Sequence, residues 1–321
     1  MTTRPNANFT SLGGTSVHET GSERYREYRR RWEENPRHHI VEPFPIHLDF
    51  EITQRCNLAC TFCDRQPFLL GDAPEDMDYD LFRRIVDEGA AKGLCSVKLS
   101  YSGEPLLHPR LVDMVAHAAS RGMLDIYFNT NAMLLDARMF TALAEAGLTR
   151  LSISVEGTDP EEYERMRRGA SFARLLGNVR RLKELRQQCG RTTPAIRIQT
   201  VRLPGLDLDQ YTDFWLPHCD EVATVDYNEP TTRKGLTGEW TCPQLWQRMT
   251  VLRDGTVIPC NNDTSAGMSP GNANHMSIEA CWTSPVVERA RQAHLAFRSH
   301  EVGSCDGCPW RTTQLAKEIG F

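Results

Sequence analysis

Residues 46–63 read IHLDFEITQRCNLACTFC. The stretch opens on an apolar run, Ile46 to Ile52, that alternates with polar residues as a strand does. It ends in three cysteines, Cys56, Cys60 and Cys63, within eight residues. Three thiolates this close admit three explanations. A structural zinc ion takes four tightly placed ligands, often as two C-x2-C pairs. Here the spacing is C-x3-C-x2-C, and the nearest histidines, His47 in the preceding run and His108 far downstream, supply no obvious fourth ligand. Chance clustering of buried thiols suits one or two cysteines better than three. An iron–sulfur cluster is held by cysteine thiolates. Three of them on a four-iron cluster leave one iron open to a substrate or cofactor.

Outward from this stretch the chain alternates apolar runs with helical patterns. Strands are predicted at 46–52, 96–102 (SVKLSYS), 124–130 (LDIYFNT), 148–157 (LTRLSISVEG), 195–203 (AIRIQTVRL) and 221–228 (EVATVDYN). Helix-like segments such as DYDLFRRIVDEGAAKG and SFARLLGNVRRLKELRQQ separate them. Such alternation specifies a parallel sheet with right-handed crossovers. In parallel barrels the functional groups collect at the C-terminal ends of the strands, and the cysteine loop follows the first strand. Residues 1–20, polar and rich in Ser, Thr and Gly, are expected to be a disordered tail. Residues 21–45 hold a helix, SERYREYRRRWEENP, capped at Ser22 and ended before Pro36, with a lead-in after it. The α/β barrel is assigned to 46–235 and a small second domain to 236–321.

A chain of 321 residues accommodates one large domain, or one domain and a smaller companion. A net charge of −5 carries no nucleic-acid footprint. No apolar run approaches the roughly 18 residues of a membrane span. The first residues, MTTRPNANFTSLGG, lack a signal-peptide core, so a cytoplasmic location is expected. Eleven cysteines in such a chain speak for metal or redox chemistry rather than for disulfides.

Cys56, Cys60, Phe62 and Cys63 together resemble the C-x3-C-x-aromatic-C signature of the radical S-adenosylmethionine (SAM) enzymes. The resemblance implies a partial (β/α)6 TIM-like barrel and a 4Fe-4S cluster on the three cysteines. Its open iron would chelate SAM, whose reductive cleavage gives a 5′-deoxyadenosyl radical that abstracts hydrogen. The other strand ends carry further parts of the pattern. SYSGEP (100–105) resembles the family's GGEP segment with Ser102 in place of the first glycine. Ser102, Gly103 and Glu104 are thereby implied to meet the amino group of the bound methionine moiety. Asn129 and Asn131 follow the third strand, and Ser154 resembles the family serine at the SAM ribose. Arg167 in ERMRRG, with Arg165 as its rival, resembles the arginine that pairs with the SAM carboxylate, and Val201 is implied to contact adenine.

A second cysteine set lies beyond the barrel. CPQLWQRMTVLRDGTVIPC (242–260) places Cys242 and Cys260 around a predicted hairpin with Asp254-Gly255 at its turn, and CDGCPW adds Cys305 and Cys308. Four thiols suit a zinc ion or a second, fully ligated 4Fe-4S cluster. The C-x12-G-x4-C piece resembles the opening of the SPASM domain of radical SAM enzymes. Its later cysteines are missing, as in the shortened "twitch" form with one auxiliary cluster, whose implied task is electron transfer.

Within the twitch group the spacing is similar to that of the 2-deoxy-scyllo-inosamine dehydrogenases, which oxidise an aminocyclitol in antibiotic biosynthesis. Related epimerases invert carbinol carbons of aminoglycosides. The implied activity is dehydrogenation of a carbinol carbon in an aminocyclitol or amino sugar, with the auxiliary cluster accepting the electron. A flavodoxin- or ferredoxin-type protein is the implied reductant. An epimerase instead needs a hydrogen donor, usually a cysteine thiol. Cys95, Cys189 and Cys219 each precede a strand, on the face opposite the expected site, which leaves Cys281 in SIEACWTSP as the candidate donor. Ile278, Cys281 and Trp282 also fall at helical spacing, which suits packing equally. Glu156 and Arg233 are candidate bases for the hydroxyl proton, and Tyr101, Asp226, Asn228 and Glu229 are candidate substrate contacts. Peptide modification is a third possibility, but the 45 residues before the first strand are short for a leader-binding domain.

Overall fold

The computed structural model describes residues 9–15, 21–63, 74–226 and 234–318. The described residues begin with β1 (Phe9–Gly14) and α1 (Glu23–His38), followed by β2 (His47–Phe50) and the two-residue β3 (Ala59–Cys60). Next come α2 (Tyr79–Lys92), β4 (Ser96–Lys98), α3 (Leu111–Ser120), β5 (Asp125–Thr130), α4 (Ala137–Ala146) and β6 (Arg150–Ser154). After α5 (Pro160–Met166) and β7 (Arg167–Arg168) follow α6 (Phe172–Gln188), β8 (Ala195–Arg202), α7 (Leu208–Trp215) and β9 (Glu221–Asp226). The remainder holds β10 (Arg248–Val251), β11 (Thr256–Ile258), β12 (Gly271–Asn272), α8 (Ile278–Trp282), α9 (Pro285–Leu295) and α10 (Pro309–Glu318).

Strands β2, β4, β5, β6, β8 and β9 are neighbours in that order, and every pair is parallel. They are the six strands predicted from the sequence, and they form the expected partial barrel. Parallel strands covered by apolar layers on both faces read as nearly continuous hydrophobic runs. These strands alternate instead, so successive side chains face opposite ways with opposite character. Leu48, Phe50, Val97, Ile126, Phe128, Leu151, Ile153, Ile196 and Ile198 are fully buried against Phe82, Ile85, Met114 and Val115 of the outer helices. The inward face is polar. Arg150 pairs with Asp125 at 2.7 Å, Arg197 with Glu221 at 2.7 Å, and Asp49 with Arg248 at 3.1 Å.

Helix α1 closes the N-terminal end of this barrel. Tyr25, Tyr28 and Trp32 pack with Ile46 and Cys95, and Trp32 meets the His47 ring edge-on at 5.4 Å. Ser22 caps the helix as predicted, its hydroxyl accepting from the Tyr25 N–H. The expected stop before Pro36 is corrected, since the helix runs on to His38 with Pro36 inside it. Proline has no N–H to give the carbonyl four residues back. That carbonyl, on Trp32, instead accepts from Nε2 of the fully buried Gln247 at 2.6 Å. A Q247L substitution fills the same space but orphans the carbonyl. It is expected to cost about 1–3 kcal/mol, read as a lower urea midpoint at unchanged slope.

The disordered-tail expectation is also corrected for residues 9–14. They form β1, antiparallel to β9 with Phe9 opposite Val225, and the Phe9 ring stacks 4.5 Å from the Arg197 guanidinium. The physical reason is the open barrel edge, whose unpaired backbone groups favour an added strand. The other edge is used as well. β10 adds parallel to β2, and the β10–β11 hairpin turns at Gly255, where φ is +90°. Among the described residues the result is one ten-stranded sheet that joins the barrel to the C-terminal region. No helix among the described residues is long and apolar enough to cross a membrane.

Candidate iron–sulfur and SAM site

The loop after β2 is held in place by backbone. β3 pairs antiparallel with β7, setting Cys60 opposite Arg167, and the Thr61 N–H donates to the Met166 carbonyl at 2.9 Å. Cys56 and Cys60 are half-buried and Cys63 is exposed. Burial pushes the Cys60 thiol up, with Arg167 pulling it down and Cys63 and Cys56 adding to the rise. Arg167 Nη1 lies 4.0 Å from Cys60 Sγ, and its guanidinium is 5.4 Å from the exposed Phe62 ring.

The SYSGEP turn braces this loop from β4. A Cβ on Gly103 would stand 2.3 Å from the Thr53 carbonyl oxygen and 2.7 Å from that of Arg55, so only glycine fits between the turn and the residues leading into Cys56. The Glu104 N–H donates to the Arg55 carbonyl at 2.8 Å. The buried Glu104 carboxylate accepts from Thr130 Oγ1 at 2.7 Å, Asn131 N at 2.9 Å and Leu106 N at 3.2 Å. Burial raises its pKa against these bonds. Ser102 Oγ donates to Glu51, which in turn is paired with Arg253 at 2.9 Å. Asn131 Nδ2 donates to Asn57 Oδ1 within the cysteine loop at 3.0 Å. Asn129, Ser154 and Val201 are half-buried at the C-terminal ends of β5, β6 and β8.

Arg167 and Glu156 form a two-bond ion pair, with Nη2 to Oε1 at 2.9 Å and Nε to Oε2 closer still. Their side chains are only 8% and 4% exposed. This corrects the reading of Glu156 as a base for substrate, because Arg167 occupies both of its oxygens. Arg165 points away, exposed and 3.6 Å from Glu162. Asp226 lies 3.7 Å from Arg202. Arg233, Asn228 and Glu229 lie outside the described residues.

Cys260 and Cys305 of the second cysteine set are buried in a separate apolar cluster with Leu245, Trp246, Met268 and Ala290, while Cys242 and Cys308 pack against another, of Trp240, Trp310 and Leu315. Burial raises all four thiols, Cys260 to about 12, and Cys242, Cys260 and Cys305 are pushed further by others of the set. Asp263 ties the loop after Cys260, accepting from Gly267 N and Met268 N at 2.9 Å each. The Tyr101 hydroxyl, within SYSGEP, donates to the Asn261 carbonyl at 2.9 Å. His294 is fully buried between the cysteines: the Cys242 N–H donates to its Nδ1 at 3.1 Å, and its Nε2 stands 3.4 Å from Cys305 Sγ. Burial lowers its pKa to about 4.

Known proteins resemble this chain in sequence and in fold. The radical SAM superfamily model matches residues 50–202, and SPASM, an iron–sulfur cluster-binding domain, matches 242–309. A Pyrococcus furiosus protein described as a tungsten-containing aldehyde ferredoxin oxidoreductase cofactor-modifying protein is 34% identical, over 83% of this chain and 87% of its own length. The chain belongs to the radical SAM superfamily. A GTP 3′,8-cyclase of Alkaliphilus oremlandii is 29% identical over 57% of this chain and 55% of its own. The solved structure of BtrN with AdoMet and 2-DOIA shares the fold, with a TM-score of 0.55 at 17% identity, covering 84% of this chain and 93% of that one.

As a radical SAM protein with a SPASM region, the chain is equipped for 4Fe-4S cluster and SAM binding. The donor sets fit that chemistry in kind, since three thiols stand on one short loop and the other four line adjoining apolar clusters of the C-terminal region. Cys281 takes no part in either. It is fully buried in the main core on α8, and α8 packs on the barrel's outer helix α2 rather than over its mouth. Glu88 of α2 caps α8, accepting from Ile278 N at 3.0 Å and Glu279 N at 3.1 Å. The expected position of Cys281 as a hydrogen donor is therefore corrected. The helical spacing of Ile278, Cys281 and Trp282 reflects packing, and burial pushes the thiol up to about 11. C281A is expected to leave product and deuterium pattern unchanged, with a stability loss of about 1 kcal/mol for a methyl-sized deletion, checked by mass spectrometry and denaturation. Four supporting residues had escaped sequence reasoning: Glu51, Arg253, Asn57 and His294. Glu51 was legible as the third polar residue of the alternation His47, Asp49, Glu51.

Proposed function

We propose that this radical SAM protein is an oxidoreductase that dehydrogenates a carbinol carbon of a small polyhydroxylated substrate, of aminocyclitol or amino-sugar type. A second 4Fe-4S cluster on Cys242, Cys260, Cys305 and Cys308 takes up the electron in this reading. The observation that carries it is the Tyr101 bond to Asn261 at 2.9 Å. It ties the turn after β4 to the residue following Cys260, so one side chain spans from the barrel mouth to the auxiliary set. With cluster and SAM bound, the site at Cys56, Cys60 and Cys63 supplies a radical able to abstract hydrogen from a C–H bond. The protein's own part is to bind and orient the substrate. Lys98, Tyr127, Asn129 and Gln199 are half-buried on the polar inward face and offer the donors and acceptors that hydroxyl and amino groups need. The burial of Cys281 disfavours epimerisation through that thiol. A flavodoxin- or ferredoxin-type reductant and a cytoplasmic location belong to the same reading. A second reading, modification of an enzyme cofactor, is favoured by the name of the Pyrococcus relative and its match over 83% of this chain and 87% of its own length.

The test uses anaerobically reconstituted enzyme with SAM and dithionite in deuterated water, offered aminocyclitols, aminoglycosides and GTP. The expected product is two hydrogens lighter, with no solvent deuterium at the reacting carbon. An isomer carrying one carbon-bound deuterium would replace dehydrogenation by epimerisation, and a product from GTP alone would replace both readings by a reaction on a nucleotide. The same preparation is expected to hold about eight irons, the sum of two 4Fe-4S clusters. About four irons with stoichiometric zinc would remove the auxiliary cluster from the proposal.

A further inference from the structure

We infer that His294 is a positioning residue of the auxiliary centre: its ring donates an Nε2–H···S hydrogen bond to Cys305 and raises the centre's reduction potential. The inference rests on the reading that Cys242, Cys260, Cys305 and Cys308 hold a cluster. Two contacts determine the tautomer. The Cys242 N–H, which can only donate, points at Nδ1 from 3.1 Å, so Nδ1 presents its lone pair. The ring proton then resides on Nε2, 3.4 Å from Cys305 Sγ, at a distance suited to an N–H···S bond. The same geometry argues against the ring as an iron ligand. A metal-bound Nε2 would move the proton to Nδ1, where it would face the Cys242 N–H.

The ring has no room to turn away. It is fully buried at the end of α9, and Trp240 packs against it edge-on at 6.2 Å, itself set edge-on to Trp310 at 5.5 Å. One imidazole thus joins the backbone of one ligand residue to the sulfur of another. A four-thiolate cluster gains a negative charge on reduction, and part of that charge falls on the sulfurs. A fixed N–H donor stabilises the reduced form more than the oxidised one, and hydrogen bonds to sulfur are among the factors that set cluster potentials. The effect is directional. It makes this centre a better electron acceptor, as the proposed dehydrogenation needs.

The experiment is a redox titration, followed by EPR, of the full-length protein with Cys56, Cys60 and Cys63 replaced by alanine, so that only the auxiliary centre is read. H294L removes the donor, and H294Q keeps an N–H in its place. Iron content is expected to stay the same in both. H294L is expected to lower the reduced-to-oxidised ratio at fixed potential about tenfold, a fall of about 59 mV for a one-electron couple. H294Q is expected to stay near the parent value. Equal potentials in H294L and the parent, or loss of iron in either variant, would overturn the inference. Absence of a cluster from the parent itself would instead overturn the reading beneath it, and the inference with it.

Discussion

A full-length protein carrying C56A, C60A and C63A is expected to form no 5′-deoxyadenosine from SAM and dithionite, yet to keep about four irons. The three thiolates stand on one loop, held by the β3–β7 pair and by the close backbone approach at Gly103. Nothing else in that loop offers soft ligands, so their loss removes the SAM-binding cluster outright. The auxiliary thiols are built into other apolar clusters, Cys260 and Cys305 around Trp246 and Met268, Cys242 and Cys308 against Trp240 and Trp310. The two centres should therefore load independently. Iron and sulfide analysis, with deoxyadenosine read by chromatography, separates the outcomes. Persistent deoxyadenosine would move SAM cleavage away from this loop. Loss of all iron would show that the auxiliary set does not bind a cluster by itself.

What was legible in the sequence followed from local physical regularities. Each barrel strand announces itself by alternation, as in HLDFE and RLSIS, because one face lies under helices and the other lines a polar interior. The cysteine loop is legible for a similar reason, since its ligands come from one short segment. Illegible features were those completed by distant partners. Periodicity reports that β9 and β2 have edges, but not that residues 9–14 and 248–251 fill them. Pro36 reads as a helix stop until Gln247, far along the chain, supplies the missing donor. Glu156 looks like any acid at a strand end, and its role as partner to Arg167 needs the fold of α5 and β7 between them. His294 carried no signal at all, because its neighbours Cys242 and Cys305 meet it only in three dimensions.

The Glu156–Arg167 pair should separate folding from function. E156A leaves a guanidinium buried without its counter-charge, and breaking such a pair from one side costs about 3–5 kcal/mol. Replacing both members by apolar residues of similar size is often close to neutral, since neither charge then has to be desolvated. The double variant E156L/R167M is therefore expected to recover most of the stability lost in E156A, as measured by urea denaturation. It is not expected to recover SAM binding. Arg167 lies opposite Cys60 across the β3–β7 pair, near its sulfur and against the Phe62 ring, so its charge and shape are part of the cysteine loop itself. Equilibrium dialysis of reconstituted protein with SAM should thus show weak binding in a well-folded double variant. A single variant as stable as the wild type would mean that the ion pair contributes little to the fold. A double variant that bound SAM normally would remove Arg167 from the site, leaving the buried pair as a device of folding alone.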